Sequence, residues 1–449
     1  MITDPSPVGD PKSPPPEPIA SEEPAHPSGA QNGKGLLERL RHKTPRHWVA
    51  VFALLFLTIL AAPQIYAHFD LAQKWRIGVF QWLYSFGARP SLPTHVTVVL
   101  IKDSDYWLGE PGGRRPLNRY YLAKLVDALD TADAQLIALD FDMRLPDPDG
   151  KDIPEALRAE TDRLIGAIVN AAEHRKVVLS RSIWLDPNGH YRFDQDIYQP
   201  YGICAGLSDG HWMNPGTTRI PINTTAADNI SCGYIALVDD QLILPGAITI
   251  GENNKDHLDS FSLAVARAND PILAGRLDAR ARYATYIAPE LFDYFKVVLP
   301  ASELLAATAP GKAISARSKF AHRSVIVGAD WCRYAFNRCP GIDVHPTPVG
   351  ILTGALLHAS YAEAVLDSRT LGVARPWLPT ALELLYGLIA VLVLSLVETP
   401  LAKLAAVVSL FVALPVAQLL SIHFVGMYFE AIIPLIGLTL HTIFDHALA

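Results

Sequence analysis

The chain is short of charge. Asp, Glu, Lys and Arg make up 18% of its 449 residues, against about a quarter in an ordinary soluble domain. Its net charge of -7 is gathered into no single run, which leaves neither a basic surface for nucleic acid nor an acidic tail. No P-loop, H-E-x-x-H helix or dinucleotide fingerprint occurs, so neither a cofactor nor a metal is expected. Gly206-Leu-Ser-Asp-Gly210 has the G-x-S-x-G spacing. Its flanks, Pro200–Ala205 and His211–Pro215, supply neither the strand before nor the helix after that would expose a nucleophilic Ser. Without a nucleophile or metal motif in its proper setting, the chain is not expected to be an enzyme.

What the chain has in quantity is apolar surface, with 50% hydrophobic residues. Four stretches approach the roughly 20 helical residues that cross a hydrocarbon core of about 30 Å. They are Trp48–Ala67, Trp377–Val397, Ala402–Val425 and Met427–Phe444, the last extended to 446 as a helix. Arg39, Arg41, Lys43 and Arg46 precede the first stretch, and by the positive-inside rule they hold the N-terminus in the cytoplasm. Four crossings then put residues 68–376 outside the inner membrane. Residues 1–47 are rich in Pro, Ser and Glu and read as a disordered cytoplasmic tail.

The external segment alternates between two periods. Val96–Ile101, Leu136–Phe141 and Lys176–Leu179 are short apolar runs rich in β-branched residues, the pattern of strands buried on both faces. Between them, Tyr120–Asp130 and Pro154–Ala172 carry apolar residues at helical spacing. This predicts β-α-β units, hence an α/β domain with a mainly parallel sheet and helices on its faces. Ser182–Pro245 loses the rhythm and reads as a β-rich insertion. Regular pattern returns with a helix over Leu258–Ala268, strands at Val297–Leu299 and Ser324–Val327, and a helix over Gly350–Val365. A connector, Leu366–Arg375, leads to the second span.

Three blocks carry a resemblance. They are Val98–Asp103 with Leu108, Gly109 and Arg119, then Ala134–Asp142, and finally Phe320–Asp330 leading to Asp343–Pro348 and Gly354–Ala359. Together they resemble the second class of CHASE domains, extracytoplasmic sensory modules joined to bacterial cyclases, histidine kinases and other effectors. The resemblance covers roughly residues 70–445. It implies one anchor before a periplasmic receptor domain and three spans after it, and a role in signal transduction. Such domains precede a cytoplasmic effector, whereas the sequence given ends within about five residues of its fourth span, so its signal is expected to leave through a separate protein partner, the N-terminal tail or the bundle itself.

Open parallel sheets bind ligands at the carboxyl ends of their strands. Those ends carry Asp103 and Asp105, Asp140, Asp142 and Arg144, and Asp330, with Arg119 at the start of the first helix. The set reads as a pocket for a small polar ligand, or as turn and cap carboxylates paired to Arg119 and Arg144. All four cysteines fall in the external segment; Cys204–Cys232 and Cys332–Cys339 are the favoured disulfides of three connectivities. A metal site of His211 with two cysteines has no ligand spacing to support it. Within the membrane, Glu383 is expected to face Gln418 or Ser421 in the third span or Glu430 in the fourth, or to reach the interface. Two functions are carried forward: a receptor-like sensor, and a scaffold subunit of a membrane complex that binds nothing small. Self-association is compatible with either.

Overall fold

A computed structural model of the chain describes residues 45–69, 71, 74–75, 78–79, 82–83, 93–144, 155–187, 190–194, 196–198, 201–204, 224–235, 243–244, 247–250, 256–270, 272, 285–286, 298–312, 319–332, 343–347, 350–367, 371–372, 377–397, 399–421 and 429–447. In chain order the elements are α1 (Pro45–His68), β1 (Val96–Lys102), α2 (Asp103–Leu108), α3 (Arg119–Thr131), β2 (Leu136–Leu139), α4 (Glu155–Ala172), β3 (Lys176–Arg181), β4 (Ile183–Leu185), β5 (Tyr191–Phe193), α5 (Thr224–Asn229), β6 (Ile230–Tyr234), β7 (Ile243–Leu244), β8 (Ile248–Ile250), β9 (Asp256–Leu258), α6 (Phe261–Asn269), β10 (Thr285–Tyr286), β11 (Val298–Pro300), α7 (Ala301–Ala307), β12 (Ser324–Asp330), β13 (Val344–Thr347), β14 (Gly350–Thr353), α8 (Gly354–Leu366), β15 (Leu371–Gly372), α9 (Trp377–Leu396), α10 (Pro400–Leu420) and α11 (Ile432–Ala447).

Six strands form one sheet in the order β11-β1-β12-β2-β3-β6, and every pairing in it is parallel. The expected α/β architecture is therefore present. Alternation along the strands splits the core in two. Val99, Ile101, Ile137, Leu139, Val325 and Val327 face α3, α4 and α7. Val98, Leu100, Leu136, Ala138 and Ile326 face α6 and α8. Parallel strands covered on both sides must be apolar at every position, which is why β1 and β2 read as unbroken hydrophobic runs.

Two expectations need correction. The irregular middle segment is not only an insertion: β4, β5, β8 and β9 form a separate four-stranded sheet, but β6 joins the main sheet as its edge strand beside β3. Its sequence, Ile230-Ser-Cys-Gly-Tyr234, is too polar to announce a buried strand, and it is only half covered. The helix expected from Gly350 begins at Gly354, because β14 pairs antiparallel with β13 through Thr353. Thr353 then caps α8, its Oγ1 accepting from the Leu356 N–H at 3.5 Å.

The apolar helices pack on one another. Val51, Leu55 and Ile59 of α1 meet Tyr386, Ala390 and Leu394 of α9, Leu410 and Leu414 of α10, and Ile432, Leu435 and Leu438 of α11. Their outward residues, including Phe56, Leu60, Leu385, Val412 and Leu440, are also apolar and exposed. Among the described residues, Leu401–Leu420 is the one helix both long and apolar enough to cross a membrane; Val51–Ala62 and Thr380–Leu396 are shorter apolar segments. The tail expected over residues 1–47 lies outside the described residues up to 44, and α1 begins at Pro45.

Candidate functional site

A cavity of about 690 Å³ opens at the carboxyl edge of the parallel sheet, lined among others by Arg119, Asp140, Trp331, Asp343, His345 and His358. Each is delivered by a local rule. Asn118 caps α3, its Oδ1 accepting from the Tyr120 and Tyr121 amides at 3.0 and 3.4 Å, which fixes Arg119 in the first helical turn. Asp140 is the residue after β2, its amide donating to the Val327 carbonyl at 2.9 Å. Trp331 follows β12 and stacks on Tyr106, centroids 4.3 Å apart. Asp343 and His345 stand at the start of the β13–β14 hairpin, and His358 lies on α8.

Arg119 is 2% exposed. Its guanidinium donates to Thr161 Oγ1, while the neighbouring Glu160 carboxylate is taken by Arg114 and by the Arg119 backbone N–H at 3.3 Å. Burial pulls the Arg119 pKa down and Glu160 pushes it back up. Asp140 has the opposite problem: burial and the adjacent Asp343 carboxylate push it well above the usual carboxylate range. Asp343 itself is held below that range. Burial pushes it up, but His345 Nε2 at 2.8 Å, the nearby His358 ring and the Gly354 N–H together hold it down. His358 is 2% exposed, with Nδ1 2.8 Å from Ser262 Oγ. Burial lowers its pKa to about 4, against the pull of Asp343.

Of the residues singled out from sequence, Arg119, Asp140, Asp142 and Arg144 line this cavity. Asp142 and Arg144 are paired at 2.7 Å on the rim, with Ser182 Oγ also on Asp142. Asp103, Asp105 and Asp330 are not in the lining. Asp103 accepts from the Cys332 N–H at 2.8 Å and Asp105 from the Lys102 N–H at 3.3 Å. Asp330 ends β12 in register with Lys102, and burial raises its pKa. Sequence reasoning missed Asp343, His345, His358 and Trp331. Three of these stand in the blocks that carried the family resemblance, but only the hairpin and α8 bring them to the strand ends.

Cys204 and Cys232 are joined, their Cα atoms 6.0 Å apart, which ties the edge strand β6 to the loop after β5. Cys332 is disulfide-bonded as well, and Cys339, its expected partner, lies outside the described residues, as do the Gly206–Gly210 motif and His211. In the helical bundle, Glu383 Oε1 accepts the Glu430 N–H at 3.2 Å and Gln418 Nε2 donates to the Phe429 carbonyl at 2.9 Å. These contacts join α9 to the residues before α11, and α10 to the same segment.

No curated protein and no solved structure matches the chain. Compared with protein families, residues 48–397 match the CHASE2 domain, a family of extracytoplasmic sensory domains. That match spans the sheet, the cavity and the two apolar helices on either side of them, and the chain is a member of the CHASE2 domain family.

Proposed function

We propose that the chain is a multi-pass inner-membrane receptor. In this reading α1, α9, α10 and α11 cross the bilayer, the α/β domain stands in the periplasm, and occupancy of the strand-end cavity is passed to a separate cytoplasmic or membrane partner. No catalysis of its own is part of the proposal. The observation that carries it is the placement of α8. At its N-terminal end this helix holds Gly354 against Asp343 and presents His358 to the cavity. Near its C-terminal end, Glu363 accepts hydrogen bonds from the amides of Thr94, His95 and Val96 at 2.6 to 3.1 Å, and Asp367 meets His95 Nε2 at 3.1 Å. One helix therefore links the site to the start of β1 and to its own C-terminal end, from which the chain runs on toward α9.

The scaffold reading is favoured by one observation: Asp103, Asp105 and Asp142 are consumed by local partners. Asp140 argues the other way, since its carboxylate faces the cavity with another carboxylate as its charged neighbour. The two readings separate on what co-purifies with the tagged full chain extracted from its native membrane. The receptor reading expects a kinase, cyclase or transcription regulator, whose yield changes in Asp140→Asn. A transporter or envelope enzyme, held equally by wild type and variant, would mark a scaffold.

A further inference from the structure

The charges around the cavity are sorted by face of the sheet. Arg119 enters from α3, whose helix packs on the face built from Val99, Ile137 and Val327. Along β2, Leu136 and Ala138 point to the opposite face, toward α8, and Asp140 continues that alternation. It does so beside Gly328, where an added Cβ would lie 3.7 Å from Asp140 Oδ2. Asp343 and His358 stand on the α8 face too, so one wall of the cavity carries a guanidinium and the other carries two carboxyl groups and an imidazole.

The two walls do not cancel within the protein. On the α3 side, Arg114 and Arg119 share the single carboxylate of Glu160, leaving one net positive charge. Among the described residues, Arg119 spends its guanidinium on one hydroxyl, Thr161, out of the five N–H donors an arginine carries. On the α8 side, Asp343 has His345, whereas Asp140 has no hydrogen bond to its carboxylate among the described residues. On the rim, Arg144 is paired with Asp142 and lies 3.6 Å from Asp194, and Asp142 also accepts from Ser182. Between the walls lie apolar side chains, Phe141, Met143, Ile235 and Trp331. A guanidinium binds a carboxylate in its fork geometry, and a pair of carboxylates with a neutral imidazole accepts the donors of an ammonium.

We infer that the cavity binds an extended zwitterion, a molecule with a carboxylate at one end for Arg119 and an ammonium at the other for Asp140 and Asp343, separated by an apolar or amide stem. A short peptide and an ω-amino acid share this chemistry. An α-amino acid places its two charges on one carbon, and the inference expects it to engage one wall alone. The volume of about 690 Å³ sits in the ordinary range for a small-molecule site, roughly 300–1,000 Å³.

This inference rests on the receptor reading above, and the test separates the two. Full-length chain in lipid nanodiscs is titrated calorimetrically with triglycine, 6-aminohexanoate, glycine, hexylamine and hexanoate. The inference expects triglycine or 6-aminohexanoate to bind and the other three to be much weaker; which of the two binds tighter identifies the stem. Asp343→Asn, at a half-exposed position, and Asp140→Asn should each weaken binding by roughly 30-fold or more, with thermal unfolding confirming that both variants fold. Hexylamine or hexanoate binding as well as the zwitterions would overturn the ligand class and leave the cavity as a site. Zwitterion binding that is unchanged in both variants would overturn the cavity as its site. Absence of binding by all five probes would overturn the ligand class, and the receptor reading would then stand or fall on the Asp140→Asn co-purification.

Discussion

Glu363 shows how much one carboxylate can hold in this fold. It is 1% exposed and meets the amides of Thr94, His95 and Val96, all at the start of β1. Replacing it with Ala leaves those donors without a partner, at a cost of about 1–3 kcal/mol per buried group. Of the three, the Val96 amide is the buried one, so Glu363→Ala should lower the stability of the domain by about 1–3 kcal/mol in chemical denaturation, and a loss under about 0.5 kcal/mol would refute the latch. The cavity residues predict pH behaviour instead. His358 titrates at about 4 when folded, below its ordinary 6.5, so the unfolded chain binds its proton first. Wild-type stability should fall as pH drops from 6.5 toward 4, and His358→Gln should flatten that slope. Asp140 is shifted upward, so its contribution is complete at low pH and lost as pH rises through its folded value. Asp140→Asn should be more stable than wild type at neutral pH, and the gain should vanish below the ordinary carboxylate range.

At the scale of elements, β12 and α8 approach so closely that a Cβ on Gly328 would sit 2.2 Å from the Ala355 Cβ. Gly328→Ala must push the helix off the sheet, and overpacking of this kind costs about 1–3 kcal/mol; thermal unfolding should show it, and an unchanged midpoint would mean the contact is slack. The parallel sheet was legible in sequence because strands covered on both faces leave no room for polar residues. The run at Val96–Ile101 announced β1 to within a residue, and Ser324–Val327 announced the start of β12, which runs on to Asp330. β6 was not legible, being a polar edge strand held by Cys204–Cys232 and by its pairing with β3. The site was half legible for a related reason. Asp140 and Arg119 lie at positions that strand ends and helix caps single out, whereas Asp343, His345 and His358 reach the cavity through a hairpin and a helix that come some 200 residues later in the chain, by the numbering of these residues. Local periodicity carries no record of such a return.

For the whole molecule, the account makes α8 the route from cavity to bundle, so perturbing one end should move the other. Gly354 offers a perturbation that needs no ligand, since a Cβ there would lie 2.0 Å from Asp343 Oδ2, and Gly354→Ala must displace the Asp343 carboxylate or the helix that carries the new methyl. Spin labels at Gln64→Cys and Thr380→Cys, on exposed positions of α1 and α9, report the spacing of those two helices by pulsed EPR in nanodiscs. The account predicts that Gly354→Ala shifts the distance distribution by roughly 1–2 Å, the scale of helix displacements in switching proteins. It also predicts that a Gly-Ser insertion after Asp367 abolishes the shift, because a flexible linker transmits neither rotation nor thrust. An unchanged distribution in Gly354→Ala, or a shift that survives the insertion, would contradict the claim that this chain signals through α8.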